Sequence, residues 1–61
     1  MNANKQDTAI AVLTRKGFRP KGGSPSLVHL CRSRRGGHTI ASVDSEGMVN
    51  GMPIEDYLKG I

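Results

Sequence analysis

Apolar residues in the N-terminal quarter of the chain recur at helical spacing. Asn4 suits the N-cap of a helix, and Asp7 places a carboxylate in the first turn, where free N–H groups and the helix dipole favour negative charge. The apolar stripe consists of Ala9, Ile10, Val12 and Leu13. The stop signals are two bases, a glycine suited to a left-handed conformation and an aromatic residue, in the order Arg15, Lys16, Gly17 and Phe18. The pattern predicts a helix over residues 4–16.

Between residues 26 and 44 the spacing changes to alternation, which is typical of strands. Residues 27–32 and 38–43 flank a glycine-containing tip and predict a β-hairpin. A turn centred on Arg35 and Gly36 places His29 opposite Ser42. One face of the hairpin is then apolar and consists of Val28, Leu30, Ala41 and Val43. The other face is mixed and half-exposed, and it carries Leu27, His29, Cys31, Ile40, Ser42 and Asp44.

The remaining segments are rich in residues that break regular structure. Residues 19–25, RPKGGSP, predict a mobile loop. Residues 44–47 predict a type I turn, and residues 48–52 predict a short third strand, only two or three residues long or bulged at Asn50 and Gly51. Pro53 opens a last short helix with Ile54, Tyr57 and Leu58 on its buried face. The predicted fold class is α+β, a small two-layer αβββα sandwich forming one domain over residues 1–61.

Length and composition restrict how this domain is stabilised. A chain of 61 residues buries only about 60% of the surface that its unfolded form exposes. Cys31 is the only cysteine, so no internal disulfide forms, and two histidines with one thiol do not complete a four-ligand zinc site. We expect no metal and no cofactor, and a homodimer or another partner remains open. The sequence shows no membrane span and no signal peptide, and the lone thiol favours the cytoplasm.

Charge is unevenly distributed along the chain. Nine Lys and Arg residues against five Asp and Glu residues give a net charge of +4. Residues 15–35 contain seven bases and no acid, whereas residues 36–61 contain four acids and one base. The seven bases are the candidate contact residues for nucleic acid or an acidic protein surface: Arg15, Lys16, Arg19, Lys21, Arg32, Arg34 and Arg35. Three of them lie at the predicted hairpin tip, where arginine can make bidentate contacts to phosphate.

Candidate catalytic chemistry is sparse. His29 and Cys31 lie two residues apart on a strand and share a face, as a thiol nucleophile and its base would. No nucleophile elbow accompanies them, and a strand cysteine is far more often a small hydrophobic residue. His38, beside the glycine turn, fits an exposed strand residue better than a general base. Neither of the glycine-rich phosphate-binding patterns GxGxxG and GxxxxGK followed by Ser or Thr occurs in the sequence. We expect no enzymatic activity.

The order of these segments resembles that of a known family. The helix ending in LTRKGF, the KGGS segment, the strand-turn-strand with Arg-Arg-Gly and the closing helix together are similar to HicA-type toxins, which are αβββα modules related to double-stranded RNA-binding domains. The resemblance implies an RNA-cleaving histidine directly after the Gly-Ser of the first strand. Here Pro25 follows Ser24, so the resemblance supplies no catalytic residue.

Three functions are compatible with these features. The leading hypothesis is a non-enzymatic module that contacts the backbone of duplex nucleic acid through the seven bases, because Phe18 and Tyr57 are the only Phe or Tyr residues and both have packing roles. The alternative is a protein-binding inhibitor or accessory factor, of the kind that phages and plasmids encode, acting on a nucleic-acid-handling complex. A HicA-like ribonuclease dependent on His29 or His38 is a third.

Overall fold

A computed structural model describes residues 4–60. Its first helix, α1, spans Lys5–Arg15 and begins at Asn4, whose side chain accepts a hydrogen bond from the Asp7 N–H at 2.7 Å. At the other end Gly17 has a φ of +98°, and the N–H groups of Gly17 and Phe18 donate to the carbonyls of Thr14 and Leu13. This pair of bonds is the glycine-terminated helix end that the sequence predicted. The predicted extent of α1 is therefore confirmed.

Strands β2 (Leu27–Arg34) and β3 (Gly37–Asp44) form the predicted hairpin. Leu30 pairs with Ala41, His29 pairs with Ser42, and Val28 pairs with Val43, which confirms the predicted register. The apolar face is buried except for Val28, which is half-buried, and the residues on the mixed face are exposed or half-buried. The alternation on both sides of a glycine-containing turn was sufficient to predict the register, because a slip of one residue would have turned the apolar side chains out of the core.

The prediction of a loop at residues 19–25 is wrong. Arg19–Ser24 forms a strand, β1, which pairs antiparallel with β2 and makes the sheet order β1-β2-β3. All six residues of β1 are exposed, so the strand is held by backbone pairing and not by a buried face. The register shifts between Pro20 and Gly22, which leaves Lys21 in a bulge. An edge position with a bulge is where prolines and glycines are tolerated in a strand.

The segment predicted as a third strand, residues 48–52, forms no strand of the sheet. Val49 makes isolated bridges to Val43 and Met52, and Asn50 and Gly51 form the turn between them with positive φ angles of +52° and +83°. Asn50 also covers the outer edge of β3: its N–H donates to the Ser42 carbonyl at 2.8 Å and its Oδ1 accepts from the Ser42 N–H at 3.0 Å. The tight-turn preference of Asn-Gly therefore dominates over strand formation. The predicted αβββα order is confirmed, with β1 as the third strand.

The core lies between one face of the sheet and the two helices. Helix α2, Ile54–Lys59, buries Tyr57 and packs Ile54 and Leu58 against the core, as predicted. The buried apolar residues are Ala9, Leu13, Phe18, Leu30, Ala41, Val43, Val49 and Tyr57. Buried Gln6 donates from Nε2 to the Pro25 carbonyl at 2.9 Å, which joins the start of α1 to the β1–β2 turn. The opposite sheet face retains exposed apolar side chains, with Ile40 51% and Leu27 39% exposed.

Two adjacent glycines in β1 provide a test of this strand. Gly22 and Gly23 both have positive φ angles, +146° and +107°, but a Cβ on Gly23 would collide with the Leu27 carbonyl oxygen, whereas one on Gly22 would meet no atom within 4 Å. We expect Gly23→Ala to destabilise the fold by about 3 kcal/mol and Gly22→Ala by about 1 kcal/mol, the cost of strained backbone alone. Thermal unfolding of the two variants measures the difference. Equal losses would contradict the described pairing of β1 with β2.

Candidate nucleic-acid interface

Six of the seven predicted contact residues lie at one end of the molecule. Helix α1 ends against β2, because Nη1 of Arg32 donates to the Lys16 carbonyl at 3.2 Å. Strand β1 begins at the same end, since Arg19 pairs with Cys31. The β2–β3 turn is also there, because it directly follows Arg34. We name this region the basic end and define it as Arg15, Lys16, Arg19, Arg32, Arg34 and Arg35.

The seventh predicted residue, Lys21, lies apart from this group. It occupies the bulge of β1, between Pro20, which pairs with Leu30, and Gly22, which pairs with His29. This position is beside the middle of β2 and not at the hairpin tip. Lys21 is exposed. It therefore extends the positive surface along the edge of the sheet without belonging to the basic end.

Three of the five acidic residues lie away from the basic end. Asp7 lies in the first turn of α1, and Asp44 ends β3 opposite Leu27, at the far end of the hairpin. Oδ1 of Asp44 accepts hydrogen bonds from the N–H groups of Glu46 and Met48, both at 2.9 Å, so Glu46 is held nearby. The other two acidic residues, Glu55 and Asp56, lie in the first turn of α2.

Arg32 differs from the other members of the basic end. It is half-buried, while the other five are exposed. The centre of its guanidinium lies 4.9 Å from the centroid of the buried Phe18 ring, within the range of a cation–π interaction. Its position on β2 explains this, because Arg32 is two residues from Leu30 and points to the core face of the sheet. The alternation of the hairpin already indicated that Arg32 shares the face of Leu30, although the sequence-based prediction grouped Arg32 with the hairpin tip.

Histidine–serine pairs occupy the open face of the sheet. Nδ1 of His29 lies 2.8 Å from Oγ of Ser42, and Nδ1 of His38 lies 3.0 Å from Oγ of Ser33. Cys31 is half-buried and free. Ser42, on the neighbouring strand, therefore occupies Nδ1 of His29. Among the described residues, no hydrogen bond joins the Cys31 thiol to the His29 ring. The second pair, Ser33 with His38, follows from the same register but was not anticipated.

Tyr57 joins α2 to the underside of the basic end. Its ring lies 6.3 Å from the Phe18 ring at an interplanar angle of 58°, a tilted aromatic pair. The Tyr57 hydroxyl and Nε of Arg32 are both buried and find no hydrogen-bond partner within the described part of the chain. Burial raises the pKa of Tyr57 above its ordinary value of 10.0, and the positive charge of Arg32 opposes that rise.

The raised pKa of Tyr57 predicts a specific alkaline transition. The folded state favours the neutral phenol of Tyr57. The stability that the fold gains from keeping this phenol protonated is fully present below pH 10, and it is lost as the pH rises through the higher pKa of the folded state. Tyr57 is the only tyrosine and the chain has no tryptophan, so tyrosinate absorbance reports on this residue alone. We expect the folded protein to titrate above the midpoint of about 10 that denatured protein should show. Equal midpoints would contradict the buried position.

The described residues offer neither a group of metal ligands nor a membrane-spanning helix. No group of three or more His, Cys, Asp or Glu side chains within residues 4–60 is placed to hold a metal ion. Neither of the helices described here is both long and apolar enough to cross a membrane.

Comparison with known proteins adds no relative. No protein family, no curated protein and no solved structure matches the chain.

Proposed function

We propose that this chain is a non-enzymatic module that binds the backbone of duplex nucleic acid through its basic end. The observation that carries the proposal is the convergence of six basic residues from α1, β1 and the β2–β3 hairpin, which are separated by up to twenty positions in the sequence. Four of the five exposed ones are arginines, whose planar guanidinium groups can contact phosphate oxygens in pairs. A surface of this kind binds through phosphates and carries little sequence information.

The aromatic residues favour a duplex over a single strand as the ligand. Binding of single strands without sequence preference relies on bases that stack on aromatic side chains. Phe18 is fully buried and Tyr57 is only 7% exposed, so neither ring is available for stacking. Contacts to phosphates and to the shape of a duplex require no such rings. Lys21, further along the sheet edge, extends the backbone contacts.

The salt dependence of binding tests the proposal. If the five exposed bases each contact one phosphate, log K should fall with log[salt] at a slope of about −4.5, a loss of roughly 500-fold between 50 and 200 mM salt. Fluorescence anisotropy with labelled 20-base-pair DNA and RNA duplexes of several sequences measures this slope. Similar affinity for all sequences of one duplex type is expected. Salt-insensitive binding, or none, would overturn the proposal.

The open sheet face favours a second candidate, a protein-binding accessory factor or inhibitor. Ile40 and Leu27 lie exposed on this face, and exposed apolar side chains flanked by polar ones are common at protein interfaces. Capture of partners from host extract, with and without nuclease, separates the two candidates. A partner that survives nuclease and is lost on Ile40→Lys substitution supports the protein-binding function. A free, lone cysteine is compatible with the reducing cytoplasm for either role.

A further inference from the structure

The side chain of Arg32 contacts its own protein where its neighbours on the hairpin face solvent. Its Nη1 holds the last carbonyl of the helix end, that of Lys16, and its planar group lies over the Phe18 ring. Its Nε is buried, and its charge acts on the Tyr57 hydroxyl. One guanidinium on β2 therefore interacts with the end of α1, with the residue that leads into β1 and with α2.

These interactions connect the two halves of the basic end. Arg15 is the last residue of α1 and Lys16 is its C-cap, whereas Arg34 and Arg35 belong to β2 and the turn that follows it. Arg32 lies between the halves and bridges them directly, because its backbone is in β2 and its side chain is bonded to the helix end. A ligand that contacts both halves at once needs their separation to be fixed before it binds.

We infer that Arg32 is a positioning residue: it holds the end of α1 and the hairpin tip in one arrangement, so that a single phosphate backbone contacts both. This inference rests on the proposed function. Lysine cannot replace Arg32 in this role, because it keeps the charge but lacks the planar group that lies over Phe18 while donating to a carbonyl. The inference therefore predicts that Arg32→Lys weakens binding although the net charge is unchanged.

A double-mutant cycle tests the inference. Removing the helix pair by Arg15→Ala with Lys16→Ala should lower duplex affinity about 30-fold at 0.15 M salt, the effect of two lost phosphate contacts. In the Arg32→Lys background the same removal should cost less than about 5-fold, because a ligand then engages only one half at a time. A cost of about 30-fold in both backgrounds would overturn the inference and identify Arg32 as a direct contact or as a bystander.

Arg34→Lys is the matched control. Arg34 lies two residues further along β2 on the same face, and it is exposed. This variant carries the same chemical change without the contact to Lys16, so the helix pair should retain its full effect in that background. Should Arg32→Lys fail to fold, Phe18→Leu provides the second route, since it removes the ring beneath the guanidinium and keeps every charge. It should reduce the effect of the helix pair in the same way.

A measurement on the free protein separates this inference from the proposed function. The N–H groups of Gly17 and Phe18 close the helix end through bonds to Thr14 and Leu13. Arg32→Lys should accelerate the hydrogen exchange of the Gly17 and Phe18 amides several-fold relative to that of the Ala41 amide in the middle of β3. Arg34→Lys should leave the exchange of these two amides unchanged. Unchanged exchange in Arg32→Lys would overturn the positioning role. Failure of the wild type to bind any duplex would instead overturn the proposed function.

Discussion

Replacing Arg34 and Arg35 with alanine is expected to lower the affinity for duplex nucleic acid by about 30-fold at 0.15 M salt. Two lost phosphate contacts reduce the slope of log K against log[salt] by about 1.8, and the 30-fold figure follows if the electrostatic contribution vanishes near 1 M salt. Both side chains are exposed, so their removal should leave the fold intact. Anisotropy titrations at four salt concentrations give both the affinity and the slope. All duplex sequences should be affected alike, because phosphate contacts carry no base identity.

A charge-matched pair of variants distinguishes a local surface from net charge. Arg35→Glu and Lys5→Glu each change the net charge by −2, from +4 to +2. Arg35 lies in the hairpin turn of the basic end, whereas Lys5 is the first residue of α1, beside Gly47 at the far end. A glutamate at the start of a helix is favourable, so Lys5→Glu should remain folded. Only Arg35→Glu should weaken binding strongly. Equal losses would mean that net charge and not the basic end governs binding.

Local signals made most of the fold predictable. The end of α1 was recognisable because a glycine followed by an aromatic residue closes a helix through its own neighbours, and the Phe18 N–H does donate to the Leu13 carbonyl. The hairpin register was recognisable because only one alignment placed Leu30 opposite Ala41 and kept the apolar side chains together. Both results depend on residues close in sequence or on a single turn.

Strand β1 was not predictable by the same reasoning. Its side chains are all exposed, so neither alternation nor apolar content marks it, and its one proline and two glycines suggest a loop. Backbone pairing to β2 creates the strand, and that pairing depends on where the remainder of the chain places β2. The opposite error at residues 48–52 has a local origin, because the Asn50-Gly51 turn limits the pairing of this segment with β3 to a single bridge between Val49 and Val43.

The basic end was only partly foreseeable. The seven bases were evident from the sequence, but their convergence depends on the contact between the end of α1 and β2. The hairpin alternation places Arg32 on the face of Leu30, but Arg34 shares that face, so the contacts with Lys16 and Phe18 are what distinguish Arg32. The bulge at Lys21, which displaces this residue from the group, had no clear signal beyond the adjacent glycines. Charge composition therefore suggested the ligand that we propose, and topology determines which residues lie close enough to share it.

Phe18→Ala is expected to remove much or all of the free energy that stabilises the fold at room temperature. Phe18 is fully buried, packs beside Tyr57 and provides the ring beneath Arg32. Truncation of a buried phenylalanine costs about 3–5 kcal/mol. A chain of this length has a total unfolding free energy of roughly 3–9 kcal/mol, so the loss consumes much or all of it. Urea denaturation followed by far-UV circular dichroism measures the change.

Ile40→Ala provides the comparison for Phe18→Ala. Ile40 is also a large apolar residue within the described fold, but it is 51% exposed on the open sheet face, so its truncation should cost no more than about 1 kcal/mol. Each kcal/mol corresponds to a shift in Tm of about 8 °C for a domain this small. The two variants should therefore differ by tens of degrees. A cooperative transition in Phe18→Ala within a few degrees of Ile40→Ala would mean that the Phe18 ring does not hold the helix end, the sheet and Arg32 together.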